Sequence, residues 1–358
     1  MSSNEQSRIS YAEESKKSTK PFYSPLPWTT KGGTLPNKPI LALRGRTIRC
    51  VLFDLGDTLW SRKDMAVWQR MEEVANVRAA AQLQQCVASP FLSHMTEVEL
   101  GRRLRESVEK NLLDFIRKEP DLEPDGSLAV INALAQWGVS GVERSTGDCV
   151  FEELRVRIPG SRPLFDDVLP TLKTLQQRGF QLGIVSNRHW GGPLFQEDLR
   201  TLGLLEYFDP RHMAISVDLG IRKPNPAIFL HTLNALNIPP GEAAMVGDSL
   251  LSDIVGSKML GIFSVWKPKP GDHSQAQLIA SRAAQANQSL AHSPDAVSAE
   301  RPSDLPPGMH ITDDDYVLAH IQNRAGKWDE HLHREVKPDL IIENLHDLLD
   351  IFLKVGEQ

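Results

Sequence analysis

The chain has 358 residues, enough for one large domain or two smaller ones, and its hydrophobic fraction of 41% is that of a soluble globular protein. A formal net charge of −6 gives no global attraction to nucleic acid or to an anionic membrane. No run of roughly 18 apolar residues is present, which excludes a membrane-spanning helix, and the odd, scattered Cys50, Cys86 and Cys149 exclude a disulfide framework and structural zinc.

Residues 1–45 are polar and rich in Ser, Lys and Pro, and read as a flexible tail. They lack the apolar core of a secretory signal, and Glu5, Glu13 and Glu14 oppose a transit peptide. A reducing, cytoplasmic setting fits the cysteines. The first apolar run, Ile48 to Phe53, reads as a strand that ends at Asp54 in VLFDLGDTLW. About four helices follow where no strand pattern exists. Asp64 to Val87 places Met65, Trp68, Met71 and Val74 in helical register, with Trp68 and Met71 assigned to the core of the helical unit. Thr96 to Lys118 opens on a capping box of Thr96 with Glu99 and carries Leu100, Leu104, Val108, Leu112 and Phe115. Ser127 to Trp137 and Val142 to Arg157 complete the set. Neighbouring strands rarely need so long a connection, so residues 61–163 read as an inserted helical unit.

Strand and helix then alternate. Gln181–Val185, Met213–Val217, Ala243–Val246, Ile262–Trp266 and Leu340–Ile342 are short continuous apolar runs, suited to strands buried on both faces. DVLPTLKTLQQRG presents Val168, Leu169, Leu172 and Leu175, with Gly179 as its stop, and NPAIFLHTLNALNI presents Ile228, Phe229, Thr232, Leu233 and Leu236. This alternation predicts an α/β fold with a Rossmann-like parallel sheet built from residues 46–60, 164–266 and 337–358. Residues 267–336 are rich in Ala, Ser, Gln and Pro and read as a largely disordered insertion. A frayed helix over SQAQLIASRAAQANQSLA and a short helix over ITDDDYVLAHIQNRAG are its only structured candidates.

Ligands of such sheets sit at the carboxyl ends of the strands. Four motifs fall there: FDLGDT with Asp54, VSNRHWGG with Ser186 and Asn187, GIRKPNPAIF with Lys223, and VGDSLLSD with Asp248 and Asp253. Each alone has a plain reading as a turn or a cap. Together they suit group transfer through an aspartate. A carboxylate is a workable nucleophile when it is aimed and its charge is partly offset. Asp54 and Asp248 repel unless a cation lies between them, and an oxygen-only donor set without Cys or His favours Mg2+. Ser186 and nearby backbone N–H groups suit a phosphate oxygen, and Lys223 suits the neutralisation of Asp54 and of the moving phosphoryl charge. Arg188, His189 and Trp190 border the same loop, with His189 open to substrate contact or to a plain surface role. Arg62 and Lys63 follow the first motif, placed either to meet an anion or to be solvated.

The set resembles the haloacid dehalogenase superfamily of aspartate-nucleophile phosphatases and their relatives, over Ile48 to about Trp266 and again at PDLIIENLHDLLDIF. The resemblance implies a helical cap at 61–163. It implies Asp54 as nucleophile and metal ligand, Asp248 as second ligand, Asp253 in support, and the Gly56 carbonyl as a further ligand. It also implies a Mg2+-dependent phosphatase acting on a small phosphorylated metabolite through an aspartyl-phosphate. In that family's phosphatases a second Asp stands two residues after the nucleophile and serves as acid/base. Here Gly56 stands there and Asp57 comes one step later. Loss of a general acid/base typically costs about 10²–10⁴-fold in rate. Three outcomes are open: Asp57 substitutes through a remodelled loop, the enzyme works without an acid/base, or the chain is a phosphate- and metal-binding pseudoenzyme. The plain reading of Asp57 is a carboxylate bonded to its own loop. A dehalogenase reading ranks third, because those relatives bind no metal whereas Asp248 and Asp253 keep a metal-type fourth motif.

Overall fold

The computed structural model describes residues 42–43, 46–61, 65–269, 309–310 and 338–352. The expected tail, the expected disordered insertion with its two candidate helices, and Arg62 and Lys63 lie wholly or mostly outside these residues.

A short antiparallel hairpin pairs β1 (Ala42–Leu43) with β2 (Arg46–Thr47). The main sheet contains β3 (Cys50–Phe53), β4 (Gln181–Ser186), β5 (Met213–Ile215), β6 (Ala243–Gly247), β7 (Phe263–Trp266), β8 (Met309–His310) and β9 (Leu340–Ile342). Their order across the sheet is β5-β4-β3-β6-β7-β9-β8. All pairs are parallel except the edge pair β8–β9. Central β3 lies in register with both neighbours, Cys50 opposite Gln181 and Ala243, Phe53 opposite Ile184 and Val246.

The apolar runs are continuous because both faces are covered. Val51 and Phe53 point into one cluster with Val168, Leu172 and Leu175 of the helix Val168–Gln177. Cys50 and Leu52 point into another with Ile228, Phe229 and Leu233 of the helix Pro226–Leu236. Period-2 alternation thus divides each strand between two helical layers. The five positions read as the inner face of Pro226–Leu236 are all buried. Each large apolar side chain buried there contributes about 1.5–3 kcal/mol. Asn225 caps this helix by accepting the Ala227 N–H at 3.0 Å.

One strand is shorter than the apolar run that marks it. The run at Met213–Val217 gives β5 only as far as Ile215, and Ser216–Leu219 turns into a helical turn. The reason is local: the Ser216 hydroxyl accepts the Arg188 N–H at 2.8 Å and donates to the Arg188 carbonyl at 3.2 Å, tying this corner to the loop after β4.

Between β3 and the helix Val168–Gln177 the described residues form four long helices: α1 (Met65–Cys86), α2 (Glu97–Lys118), α3 (Gly126–Gln136) and α4 (Arg144–Glu153). They bury a cluster of their own that includes Leu83, Leu100, Leu104, Val108, Leu134 and Val150. Thr96 accepts the Glu99 N–H at 3.3 Å, the first half of the capping box. The inner face of α1 differs from the predicted one. Met65 and Val74 are exposed, Trp68 and Met71 are half-buried outside the cluster, and the buried residues are Ala75, Asn76, Ala79, Ala80 and Leu83. Small residues win that face because α1 and α2 approach closely. A Cβ at Gly101 of α2 would collide with the Asn76 backbone carbonyl of α1. Trp68 instead stacks under the Arg162 guanidinium, 4.5 Å from the ring centre. Phe115 likewise falls short of the core, 37% exposed.

Gly101→Ala tests the contact. Helix propensity alone favours Ala by about 1 kcal/mol. Backbone has nowhere to yield, so a net loss of about 1–3 kcal/mol in urea denaturation is expected. A gain would refute the close α1–α2 packing.

The chain leaves and re-enters the sheet through a paired neck. Trp60 bridges Leu164, Ser61 N–H donates to Pro163 O at 3.2 Å, and Phe165 N–H donates to Leu59 O at 3.0 Å. A second fastening joins the segment between α2 and α3 to the loop after β5. Glu123 N–H donates to Gly220 O and Arg222 N–H to Asp121 O, both at 3.0 Å.

Candidate active site

The sheet order reverses at β3, where β4 departs on one side and β6 on the other. Polar residues at the ends of these three strands meet in the crevice there. Asp54, first after β3, is buried, and its backbone N–H donates to Val246 O at 2.9 Å. Its Oδ1 accepts Ser186 Oγ at 3.1 Å and Lys223 Nζ at 2.6 Å. Among the described residues no hydrogen bond reaches its Oδ2. One oxygen is thus held, and the other is available to a cation or to phosphorus.

Lys223 is fixed from several sides. Its Nζ donates to Val185 O at 2.7 Å and lies 2.6 Å from Asp253 Oδ1. Its backbone N–H donates to Asn187 Oδ1 at 2.8 Å, and Asn187 Nδ2 donates back to Lys223 O at 2.9 Å. Asn187 therefore joins the second and third motifs. Burial alone would push the Lys223 ammonium down, but the Asp253 and Asp54 carboxylates outweigh it and hold it above the ordinary lysine value.

The fourth motif is a π-helical turn, Leu250–Val255, right after β6. Such turns aim side chains that a regular helix would not. Asp253 Oδ2 accepts the Ser249 N–H at 2.9 Å. Gly247 must be glycine, because a Cβ there would collide with the Asp253 carboxyl. Asp248 is placed by its carbonyl, which accepts Trp266 Nε1 at 2.9 Å. Burial, then the charges of Asp54 and Asp253, push the Asp248 carboxyl up to about 8. Burial raises Asp253 to about 6, with Lys223 pulling the other way.

Asp54, Asp248 and Asp253 offer carboxylate oxygens that all lie within 4.8 Å of one another. This donor set fits a hard divalent cation: it is oxygen only, without Cys or His, and burial and the charges of its neighbours disfavour a bare Asp248 carboxylate. Asp253 Oδ1 forms an ion pair with Lys223 Nζ and its Oδ2 accepts the Ser249 N–H.

Gly56 and Asp57 separate the two halves of the loop question. Gly56 bridges to Trp60, and a Cβ added to it meets nothing within 4 Å. Asp57 is one of two non-glycine residues with a left-handed backbone among the described residues (φ 57°), a conformation Asp tolerates better than most. Its carboxylate leaves its own loop and pairs with Lys269, Nζ 2.7 Å from Asp57 Oδ2. The same Nζ lies 3.2 Å from Asp248 Oδ2. Burial lowers the Lys269 ammonium, but Asp248 and Asp57 outweigh it and raise it overall. Sequence reading missed Lys269. It sits in KPKP just past β7, where composition turns polar, and only the parallel pairing of β7 with β6 brings it to Asp248.

His189 is tied to the helical insertion, its Nδ1 2.6 Å from Glu123 Oε1. Glu123 also takes Arg222 at 2.8 Å. A cavity of about 630 Å³ opens along this seam, lined by His189, Trp190, Phe151 and Arg155 among others, and none of Asp54, Ser186, Lys223 or Asp248 lines it.

The family model for the haloacid dehalogenase-like hydrolases matches residues 48–261, the stretch that carries all four motifs. A glyceraldehyde 3-phosphate phosphatase from Pyrococcus furiosus is 31% identical over 231 residues, covering 62% of this chain and 81% of that protein. A phosphoserine phosphatase from Thermus thermophilus is 36% identical over 105 residues, 29% of this chain and 40% of that one. The solved structure of a HAD phosphatase from Thermococcus onnurineus is 27% identical, with a TM-score of 0.41 over 63% of this chain and 88% of that chain. Matched by the family model over residues 48–261, the stretch that holds Asp54, Ser186, Lys223 and Asp248, the chain belongs to the haloacid dehalogenase-like hydrolases.

Proposed function

We propose that the protein is a Mg2+-dependent phosphatase of small phosphorylated metabolites, with Asp54 as nucleophile. The observation that carries this is the convergence on one carboxylate: Asp54 Oδ1 is pinned by Ser186 and Lys223, which leaves Oδ2 for phosphorus, beside a second carboxylate that needs a cation. The relatives named as phosphatases support the reaction class. Asp54, Asp248 and the Gly56 carbonyl would hold the metal, with Asp253 behind them. The bound ion supplies positive charge between the nucleophile and an anionic substrate.

The steps follow from the residues. Asp54 attacks phosphorus, and an aspartyl-phosphate forms as the ester oxygen departs. Lys223 compensates the negative charge on the transferring group, while Ser186 keeps Asp54 aimed. Water then attacks the aspartyl-phosphate and restores the carboxylate. The helical insertion acts as a cap that excludes bulk water, hinged at the Trp60/Leu164 neck. Asp57, tied to Lys269, does not act as acid/base in this reading; it holds Lys269 against Asp248. Leaving-group protonation falls to solvent, and turnover is slow for poor leaving groups. The unfilled space at Gly56 equally favours a second reading, a phosphate-binding protein with negligible turnover.

Phosphate release from a panel of small phosphomonoesters, with and without Mg2+, separates the two. Metal-dependent release that disappears in Asp54→Asn supports the phosphatase. Binding of a phosphate analogue without release from any ester supports the second reading.

Lys269 gives a further expectation. Its ammonium competes with a divalent ion for Asp248. Lys269→Met is expected to tighten Mg2+ about tenfold by calorimetry, and no more, because a one-third exposed charge is screened by solvent. Weaker Mg2+ binding would show that Lys269 supports the metal site instead.

A further inference from the structure

Arg188 follows Ser186 by two residues, and its backbone is locked to Ser216. Its guanidinium lies against two rings, 4.4 Å from the centre of Phe195 and 5.7 Å from that of Trp60, at the neck between the sheet and the helical insertion. The residue is half-buried, its guanidinium laid over the two buried rings. Other arginines nearby have carboxylates: Arg155 pairs with Glu152 at 2.7 Å, Arg157 with Asp198 at 2.5 Å, and Arg222 with Glu123 at 2.8 Å. Arg188 has none among the described residues. Among the described residues, only Nε of its five N–H donors finds a protein acceptor, the Trp190 carbonyl, at a long 3.4 Å. Burial, with repulsion from Arg162 and Arg155, pushes the guanidinium down to about 9, and the attraction of Asp54 only partly offsets this. A half-buried cation beside other cations, with most of its fork unused, is set to take an anionic ligand.

We propose that Arg188 anchors a second anionic group of the substrate, a carboxylate or a further phosphate on the same small molecule as the scissile ester. This rests on the phosphatase reading. The planar fork suits either group bidentately, and the Trp60 and Phe195 faces hold it in one plane. The second anion would sit toward the neck while the ester phosphate meets Asp54, so closure of the insertion senses both ends of the substrate.

The test uses the full chain with Mg2+ and three probes: propyl phosphate, phosphoglycolate and propanediol bisphosphate. Two readouts are taken, kcat/KM for phosphate release and calorimetric binding to the Asp54→Asn protein. The native fork is expected to favour one or both doubly anionic probes over propyl phosphate by about 10- to 100-fold, mostly in KM. Arg188→Met should erase that ratio, and Arg188→Lys should restore part of it, with the melting temperature checked for each variant. Preference for phosphoglycolate identifies a carboxylate as the partner; preference for the bisphosphate identifies a phosphate. An unchanged ratio in Arg188→Met, or no native preference in either readout, overturns the proposal. Selective binding without turnover keeps the anion site and rejects the phosphatase; turnover without selectivity does the reverse.

Discussion

Gly56→Asp is expected to raise phosphate release from an alkyl phosphate by about 10²–10⁴-fold, the usual contribution of a general acid/base. The position has room, since an added Cβ meets nothing within 4 Å, and its φ is not left-handed, so a side chain brings no backbone strain. The effect depends on the leaving group. An alkoxide needs a proton to depart, whereas nitrophenolate does not. The gain should therefore shrink sharply with p-nitrophenyl phosphate. Asp57 cannot supply the same function by a small shift while it remains 2.7 Å from the Lys269 ammonium. If Gly56→Asp gives no gain with alkyl phosphates while the protein stays folded and binds Mg2+, the acid/base position implied by the family resemblance does not apply to this loop.

Lys223→Met should be damaging in two ways. It removes the only ammonium between Asp54 and Asp253 among the described residues, 2.6 Å from each. Breaking one partner of a buried pair leaves uncompensated charge and costs about 3–5 kcal/mol. Lys223 is 2% exposed, so solvent screening gives little relief. Loss of a preorganised donor to a developing oxyanion costs a further 10²–10³-fold or so in rate. Both losses should appear: a lower urea midpoint, and activity at least about 10²-fold down at denaturant-free equilibrium. The stability loss should shrink as pH falls, because Asp253, raised by burial, takes up a proton and no longer needs the ammonium. Equal stability of native and variant proteins at neutral pH would contradict the assigned role of Lys223.

Much of this was legible in the sequence because parallel strands buried on both faces leave a strong signature. Val51 and Phe53 serve one helical layer while Cys50 and Leu52 serve the other, so no polar residue interrupts the run until Asp54. The same logic brought Ser186 and Asp248 to the crevice, and the helical register of Pro226–Leu236 identified its inner face fully. The failures have physical causes too. In α1 the large apolar residues Met65 and Val74 drew the predicted face toward solvent, while close approach to Gly101 selected alanines. Lys269 was invisible because its partners, Asp57 and Asp248, are distant in sequence and meet it only through strand order. Arg188 stood next to a recognised motif, but nothing in the sequence reveals that its guanidinium has no carboxylate partner among the described residues.

The most direct test of the account is chemical trapping on Asp54. The native protein is mixed with a substrate and Mg2+, quenched in acid, reduced with borohydride and mapped by peptide mass spectrometry. An aspartyl-phosphate at Asp54 predicts reduction of that residue alone, to homoserine, only when substrate and metal are both present. Phosphate release with Asp54 unmodified, or with another residue modified in its place, would contradict the assignment of Asp54 as nucleophile.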